Sequence, residues 1–151
     1  MSLISAVTSV LRNYATFTGR ARRSEYWWFA LALGVVGSAL TVVLTGVAAK
    51  SIDLEAGTIG SGYFVAMVPL WICSLGVLLP SLAVTVRRLH DTDRAGFWIL
   101  ITLVPIVGAL VLLVILATPG QRAPNRFGPD PQAESLADLP PVGDPAGFPG
   151  A

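Results

Sequence analysis

A chain of 151 residues that is 54% hydrophobic and only 13% charged, with a mean hydropathy of +0.70, lies outside the habits of soluble globular proteins, in which about a quarter of residues are charged. Its net charge of +1 leaves no global electrostatic signature for nucleic acid. The basic residues sit in small groups beside the apolar runs, a placement suited to lipid headgroups. The single cysteine, Cys73, lies inside an apolar run, where it is read as a small hydrophobe and cannot form an intrachain disulfide.

The first element in chain order is a predicted amphipathic helix. Leu3, Ile4, Val7, Val10, Leu11 and Tyr14 recur at steps of one, three and four, while Ser5, Thr8, Ser9, Arg12 and Asn13 fall mostly opposite. Two placements bury the same stripe: the helix lies on the membrane surface, or it docks on the rest of the protein.

Three apolar runs follow, residues 27–49, 63–86 and 97–117, free of Asp, Glu, Lys, Arg and His. As helices they reach about 31–36 Å against a hydrocarbon core of about 30 Å, so each is long enough to span. The first is too long, and begins too far into the chain, to be a cleaved signal peptide. Trp27, Trp28, Tyr63, Phe97 and Trp98 mark run ends, as interfacial anchors do. Small residues at Ala30, Gly34 and Ser38, and again at Gly37, Thr41 and Thr45, predict close helix packing within the chain or between copies. Spans without ionisable residues disfavour a proton- or ion-coupled transporter.

The Lys/Arg distribution sets the expected orientation. Arg12, Arg20, Arg22 and Arg23 precede the first run and Arg87, Arg88 and Arg94 follow the second, whereas the first loop holds only Lys50 beside Asp53 and Glu55. This places the N-terminus and the second loop in the cytoplasm. The third run poses a conflict: if it crosses once, Arg122 and Arg126 lie outside, against that trend. A break near Pro105 and Gly108, with return as two half-depth segments, would keep them inside. The single kinked crossing is the favoured expectation, because exposed turn groups in hydrocarbon cost several kcal/mol each. After the run the chain turns proline-rich, and residues 132–151, with only Glu134, Asp138 and Asp144 charged, are expected to be a disordered tail outside a membrane domain of residues 1–131.

Charged motifs flank the runs. In the first, Arg22 and Glu25 are three apart and are expected to pair on one helix face, while Arg20, Arg22, Arg23, Arg87 and Arg88 are candidate binders of lipid phosphates. In the second, His90, Asp91, Asp93 and Arg94 form a polar cluster in what reads as a tight loop. Thr92 or Asp93 can cap the following helix, and Asp91 or Asp93 can pair with Arg87, Arg88 or Arg94. One histidine and two aspartates fall short of a metal-ligand spacing, and no hydrolase, zinc-protease or phosphate-loop pattern occurs, so neither metal nor cofactor is expected.

Gly19-Arg-Ala-Arg-Arg-Ser-Glu-Tyr-Trp27, Arg87-Arg-Leu-His-Asp91 followed by aromatic residues, and Asn125-Arg-Phe-Gly-Pro-Asp-Pro131 together resemble the DUF805 family of bacterial inner-membrane proteins. Phe97-Trp98 stands where that family often has two tryptophans. The resemblance implies a polytopic protein of the cytoplasmic membrane and groups Asn125 with the other motif residues, but it implies no reaction.

The expected fold is an all-α membrane bundle of about three transmembrane helices with an N-terminal surface helix. The functional reading is a non-enzymatic interaction or lipid-associating protein, partnered by membrane lipids and by a second copy or another membrane protein. Its rivals are an oligomeric channel or transporter, and an enzyme acting on lipid headgroups through Arg87, Arg88, His90 and Asp91.

Overall fold

The computed structural model describes residues 1–133; the tail from Glu134 onward lies outside the described residues, and with it most of the expected disordered segment. Helix α1, Leu3–Arg12, starts at a capping box in which the Ser2 and Ser5 side chains each accept from the other's backbone N–H, Ser5 filling the place usually taken by Glu or Gln. Ala6 and Val10 are buried against the bundle, whereas Ile4 and Leu11 face outward. The helix is therefore docked and still presents an apolar flank.

Helix α2, Arg23–Ala48, carries Glu25 in its first turn, where a carboxylate complements the helix dipole. A 3₁₀ turn at Ala49–Ser51 leads into a small hairpin of β1, Ile52–Asp53, and β2, Thr58–Ile59. Its turn is closed by Asp53 Oδ1, which accepts from the N–H groups of Glu55 and Ala56, and by Gly57 at φ +64°. Helix α3, Ser61–Asp91, runs antiparallel to α2. Helix α2 with its 3₁₀ extension, 29 residues, and α3, 31 residues, are long and apolar enough to cross a membrane.

Pro69 and Pro80 lie inside α3. A proline at position 80 has no N–H to give the carbonyl of residue 76. The Tyr14 hydroxyl supplies the missing donor to Gly76 O.

The third apolar run is not the single helix expected of residues 97–117. A 3₁₀ helix, Gly96–Leu103, ends at Val104, and α4 begins only at Val107 and runs to Ala117. Between them the residue before Pro105 is held extended, as proline requires, and Ile106 adopts φ +62° and ψ −63°, a conformation costly for a β-branched side chain. The two halves then fold against each other so closely that a Cβ on Gly108 would lie 1.7 Å from Ile101 O. Both ends of this helical hairpin return to the C-terminal end of α3: Gly96 packs on Val86, and the Leu116 carbonyl accepts from Arg88 Nε at 3.0 Å.

Two apolar clusters hold the assembly at that end. Val10, Ala21, Phe29 and Val84 join α1 to α2 and α3, and Leu89, Leu112, Ile115 and Leu116 join the hairpin to α3.

Candidate functional site

The C-terminal turn of α3 carries Arg87, Arg88, His90 and Asp91, so this motif is helical rather than a loop. Around it converge the segment before α2 and the segment after α4, forming a polar collar at one end of the helix pair. Asp91 is its hub. Oδ1 accepts from Arg20 Nε at 3.0 Å, Oδ2 pairs with Arg88 Nη1, and the backbone carbonyl accepts from Gln121 N at 2.9 Å.

The remaining donors of the same arginines are spent on backbone carbonyls. Arg20 reaches Ala123 O at 2.8 Å and Gln121 O; Arg88 reaches Leu116 O and Thr118 O. Arg88 thus caps the C-terminus of α4, where carbonyls lack helical partners and a cation suits the dipole. With 0% of Arg88 exposed, the guanidinium is affordable only because every face finds an acceptor.

A second pair lies beside the first. Glu25 Oε1 accepts from Arg87 Nη2 at 3.2 Å and from Ser9 Oγ at 3.0 Å, joining α2, α3 and α1. The expected Arg22–Glu25 pair does not form: Glu25 turns toward Arg87, and Arg22 donates to Pro131 O. Arg87 Nε is a buried nitrogen with no hydrogen-bond partner among the described residues.

His90 is held on three sides. Its ring stacks on Phe127 with centroids 3.9 Å apart, Nδ1 lies 3.1 Å from Gly19 O, and its carbonyl accepts from Asn125 Nδ2 at 2.9 Å. Asn125 also closes its own turn by accepting from Phe127 N at 2.9 Å. Neither Thr92 nor Asp93 caps the next helix. Thr92 is the C-cap of α3, its hydroxyl donating to Leu89 O, and Asp93 turns the chain at φ +58° and pairs with Arg126 at 3.3 Å on the surface. Arg94 lies over the Trp98 ring, 5.8 Å from its centroid.

For the candidate headgroup binders this geometry is selective. Arg20, Arg87 and Arg88 are buried and committed to internal acceptors, Arg22 is half-buried, and Arg23 is exposed. Arg23 lines a polar cavity of about 100 Å³ with Asp91, Gly120, Arg122, Asp130 and Gln132. Sequence reasoning gave no site role to Ser9 or Gly120, and weighed Arg122 for topology alone. Gly120 carried a signal in its Pro-Gly pair: a Cβ there would sit 1.9 Å from Asp91 Oδ2, so only glycine lets the segment close over the hub. Among the described residues no group of three His, Cys, Asp or Glu side chains is arranged to hold a metal ion.

Two long apolar helices, a docked amphipathic helix and a folded-back apolar hairpin locked by a buried arginine collar define a helical membrane protein. The chain belongs to the family described as "Protein of unknown function (DUF805)", which matches residues 14–129 and so takes in every collar segment. It is 43% identical over 124 residues to the inner membrane protein YhaI of Escherichia coli K12, covering 82% of this chain and 92% of that protein. To the inner membrane protein YhaH of the same organism it is 42% identical over 125 residues, covering 83% and 94%. No solved structure matches the chain.

Proposed function

We propose that the chain is a multi-pass protein of the bacterial inner membrane, with its N-terminus, its collar and the end of its hairpin all on the cytoplasmic side, and that it acts without catalysis by associating with anionic lipid. The observation that carries this reading is the distribution of cations. Because the third run folds back, Arg122 and Arg126 join Arg12, Arg20, Arg22, Arg23, Arg87, Arg88 and Arg94 at one end of the helix pair, and Lys50 stands alone at the other. The positive-inside trend then holds without the conflict that a single crossing creates.

Lipid association rests on Arg23 and Arg122, exposed guanidinium groups beside the same polar cavity at the level where headgroups lie. Each contributes about 1 kcal/mol to holding an anionic headgroup, less as salt rises. The buried arginines serve a different end, fastening the chain to itself. A headgroup enzyme built on Arg87, Arg88, His90 and Asp91 is less well supported, since the bonds described above already engage those side chains.

Topology is tested with Cys73→Ser as background and a new cysteine at Ala133 or at Glu55. A membrane-impermeant maleimide is expected to label the Glu55 position in cells with a permeabilised outer membrane and the Ala133 position only after lysis; labelling of both from outside rejects the topology. Lipid association is tested by the enrichment of a labelled anionic lipid around the protein in mixed-lipid nanodiscs. Arg23→Gln with Arg122→Gln is expected to reduce it, and unchanged enrichment at low salt rejects the headgroup role.

A second copy is a further partner. On the Ala30, Gly34 and Ser38 face, expected to pack closely, no atom of the described residues lies within 4 Å of a Cβ built on Gly34. The face forms instead an open apolar groove of about 370 Å³ bordered by Trp27, Leu31 and Val35, the shape into which a like helix fits.

A further inference from the structure

The buried part of this protein is concentrated in one half of the helix pair. Along α2, Glu25 and Phe29 are buried near the collar and Ala48 at the far end, with no buried residue between Phe29 and Ala48. Along α3, Met67 is buried near the far end, and burial resumes only at Pro80, continuing through Ala83, Val84 and the collar residues. The other helical segments account for this asymmetry. Val10 of α1 packs with Phe29 and Val84, the 3₁₀ helix begins against Val86, and α4 packs through Leu112, Ile115 and Leu116 on Leu89. Tyr14, just beyond α1, reaches no deeper than Gly76, the middle of α3.

Among the described residues, five segments therefore occupy the collar half, whereas the far half holds only α2 and α3 with the loop that joins them. Each arm of the hairpin is about 16 Å long, half the thickness of a bilayer core. In the far half Val42, Val43, Val65, Ile72 and Leu75 are all more than 60% exposed, and such surfaces are stable only in hydrocarbon. Ile4 and Leu11 extend the collar half sideways as an apolar flank of α1, fixed there because Ala6 and Val10 are docked.

Resting on the topology proposed above, we infer that the chain is a wedge within the bilayer, broad in the cytoplasmic leaflet and narrow in the other, and that the partner its shape fits is a membrane curved so that the collar leaflet is convex. A rigid inclusion that displaces more area in one leaflet crowds the lipids there and leaves those opposite too sparse. Bending toward the narrow side relieves both, as it does for amphipathic helices seated in one leaflet. Docking makes the effect stronger here, because α1 cannot leave the leaflet without breaking the Glu25–Ser9 bond and the Val10 contacts.

The test uses the full chain with Cys73→Ser and a dye at Ala133→Cys, reconstituted into giant vesicles from which membrane tethers are pulled outward. An impermeant quencher tells molecules with the collar outside from those with it inside. The expected tether-to-vesicle density ratio is above one for collar-outside molecules, rising as the tether narrows, and below one for collar-inside molecules. A ratio of one in both populations overturns the wedge. Ile4→Gln with Leu11→Gln, which removes the apolar flank that the docked α1 adds to the broad leaflet, is expected to bring the ratio toward one, and an unchanged ratio counts against the wedge. Failure of the topology reads out separately, as quenching of an N-terminal dye and the Ala133 dye from opposite faces of the same vesicles.

Discussion

The Tyr14 hydroxyl donates to the carbonyl of Gly76, the acceptor that Pro80 leaves without its helical N–H four residues on. In water such a carbonyl would bind solvent, but on an apolar helix in hydrocarbon an unpaired one is costly. A residue in the segment after α1 thus repairs a defect that proline creates in α3.

Tyr14→Phe is accordingly expected to destabilise the protein by about 1 kcal/mol, the scale of a hydrogen bond in a membrane interior. In a Pro80→Ala background, where residue 80 regains an N–H, the same change is expected to cost much less. Thermal unfolding of the four proteins of this cycle in mild detergent checks it; equal costs in both backgrounds would show that the hydroxyl does not serve the proline-freed carbonyl.

The hairpin break makes a prediction of opposite sign to the single-helix alternative. Ile106 sits at φ +62°, so Ile106→Gly relieves backbone strain and is expected to raise stability by about 1 kcal/mol. In the middle of a continuous helix the same substitution would lower stability by about 1 kcal/mol. The direction of the shift in melting temperature decides between the two backbones.

Gly120 and Asp91 test the collar closure. Gly120→Ala places a methyl group against the Asp91 carboxylate and is expected to release the segment from Thr118 to Pro131 while α2 and α3 persist. Limited proteolysis at Arg122 and Arg126 should accelerate severalfold with helical circular dichroism nearly unchanged. Removing one partner of the buried pair with Arg88→Met is expected to cost about 3–5 kcal/mol, because Asp91 then loses half of its compensation. Folded yield reports it.

Gly34→Leu fills the open groove on α2. Among the described residues a Cβ there meets no neighbour, so the monomer is expected to keep its melting temperature, while any dimer in mild detergent dissociates on size-exclusion chromatography with light scattering. A fall in monomer stability without a change in association would assign the groove to the chain's own packing.

Composition and hydropathy by themselves determined that this is a membrane protein, because runs of more than twenty residues without a charge leave no polar face for water. The periodicity of residues 3–14 was enough for α1, and the three charged motifs were enough for the family. Pairing was another matter. Arg22 and Glu25 satisfy the helical spacing rule, yet Glu25 belongs to Arg87, 62 residues away, since a spacing rule describes one helix and takes no account of a neighbour that brings a better-buried cation. Five arginines in two motifs looked equivalent, and only tertiary structure separated them: the return of residues 116–131 to the end of α3 encloses Arg20 and Arg88, Glu25 takes Arg87, and Arg23 is left exposed. The course of the third run was likewise settled by tertiary structure. Its sequence is compatible with one kinked helix or two half-depth arms, and what tips the balance lies outside it: Arg88 waits at the end of α3 for the carbonyls of Leu116 and Thr118, and a buried guanidinium without acceptors costs more than a strained residue at Ile106.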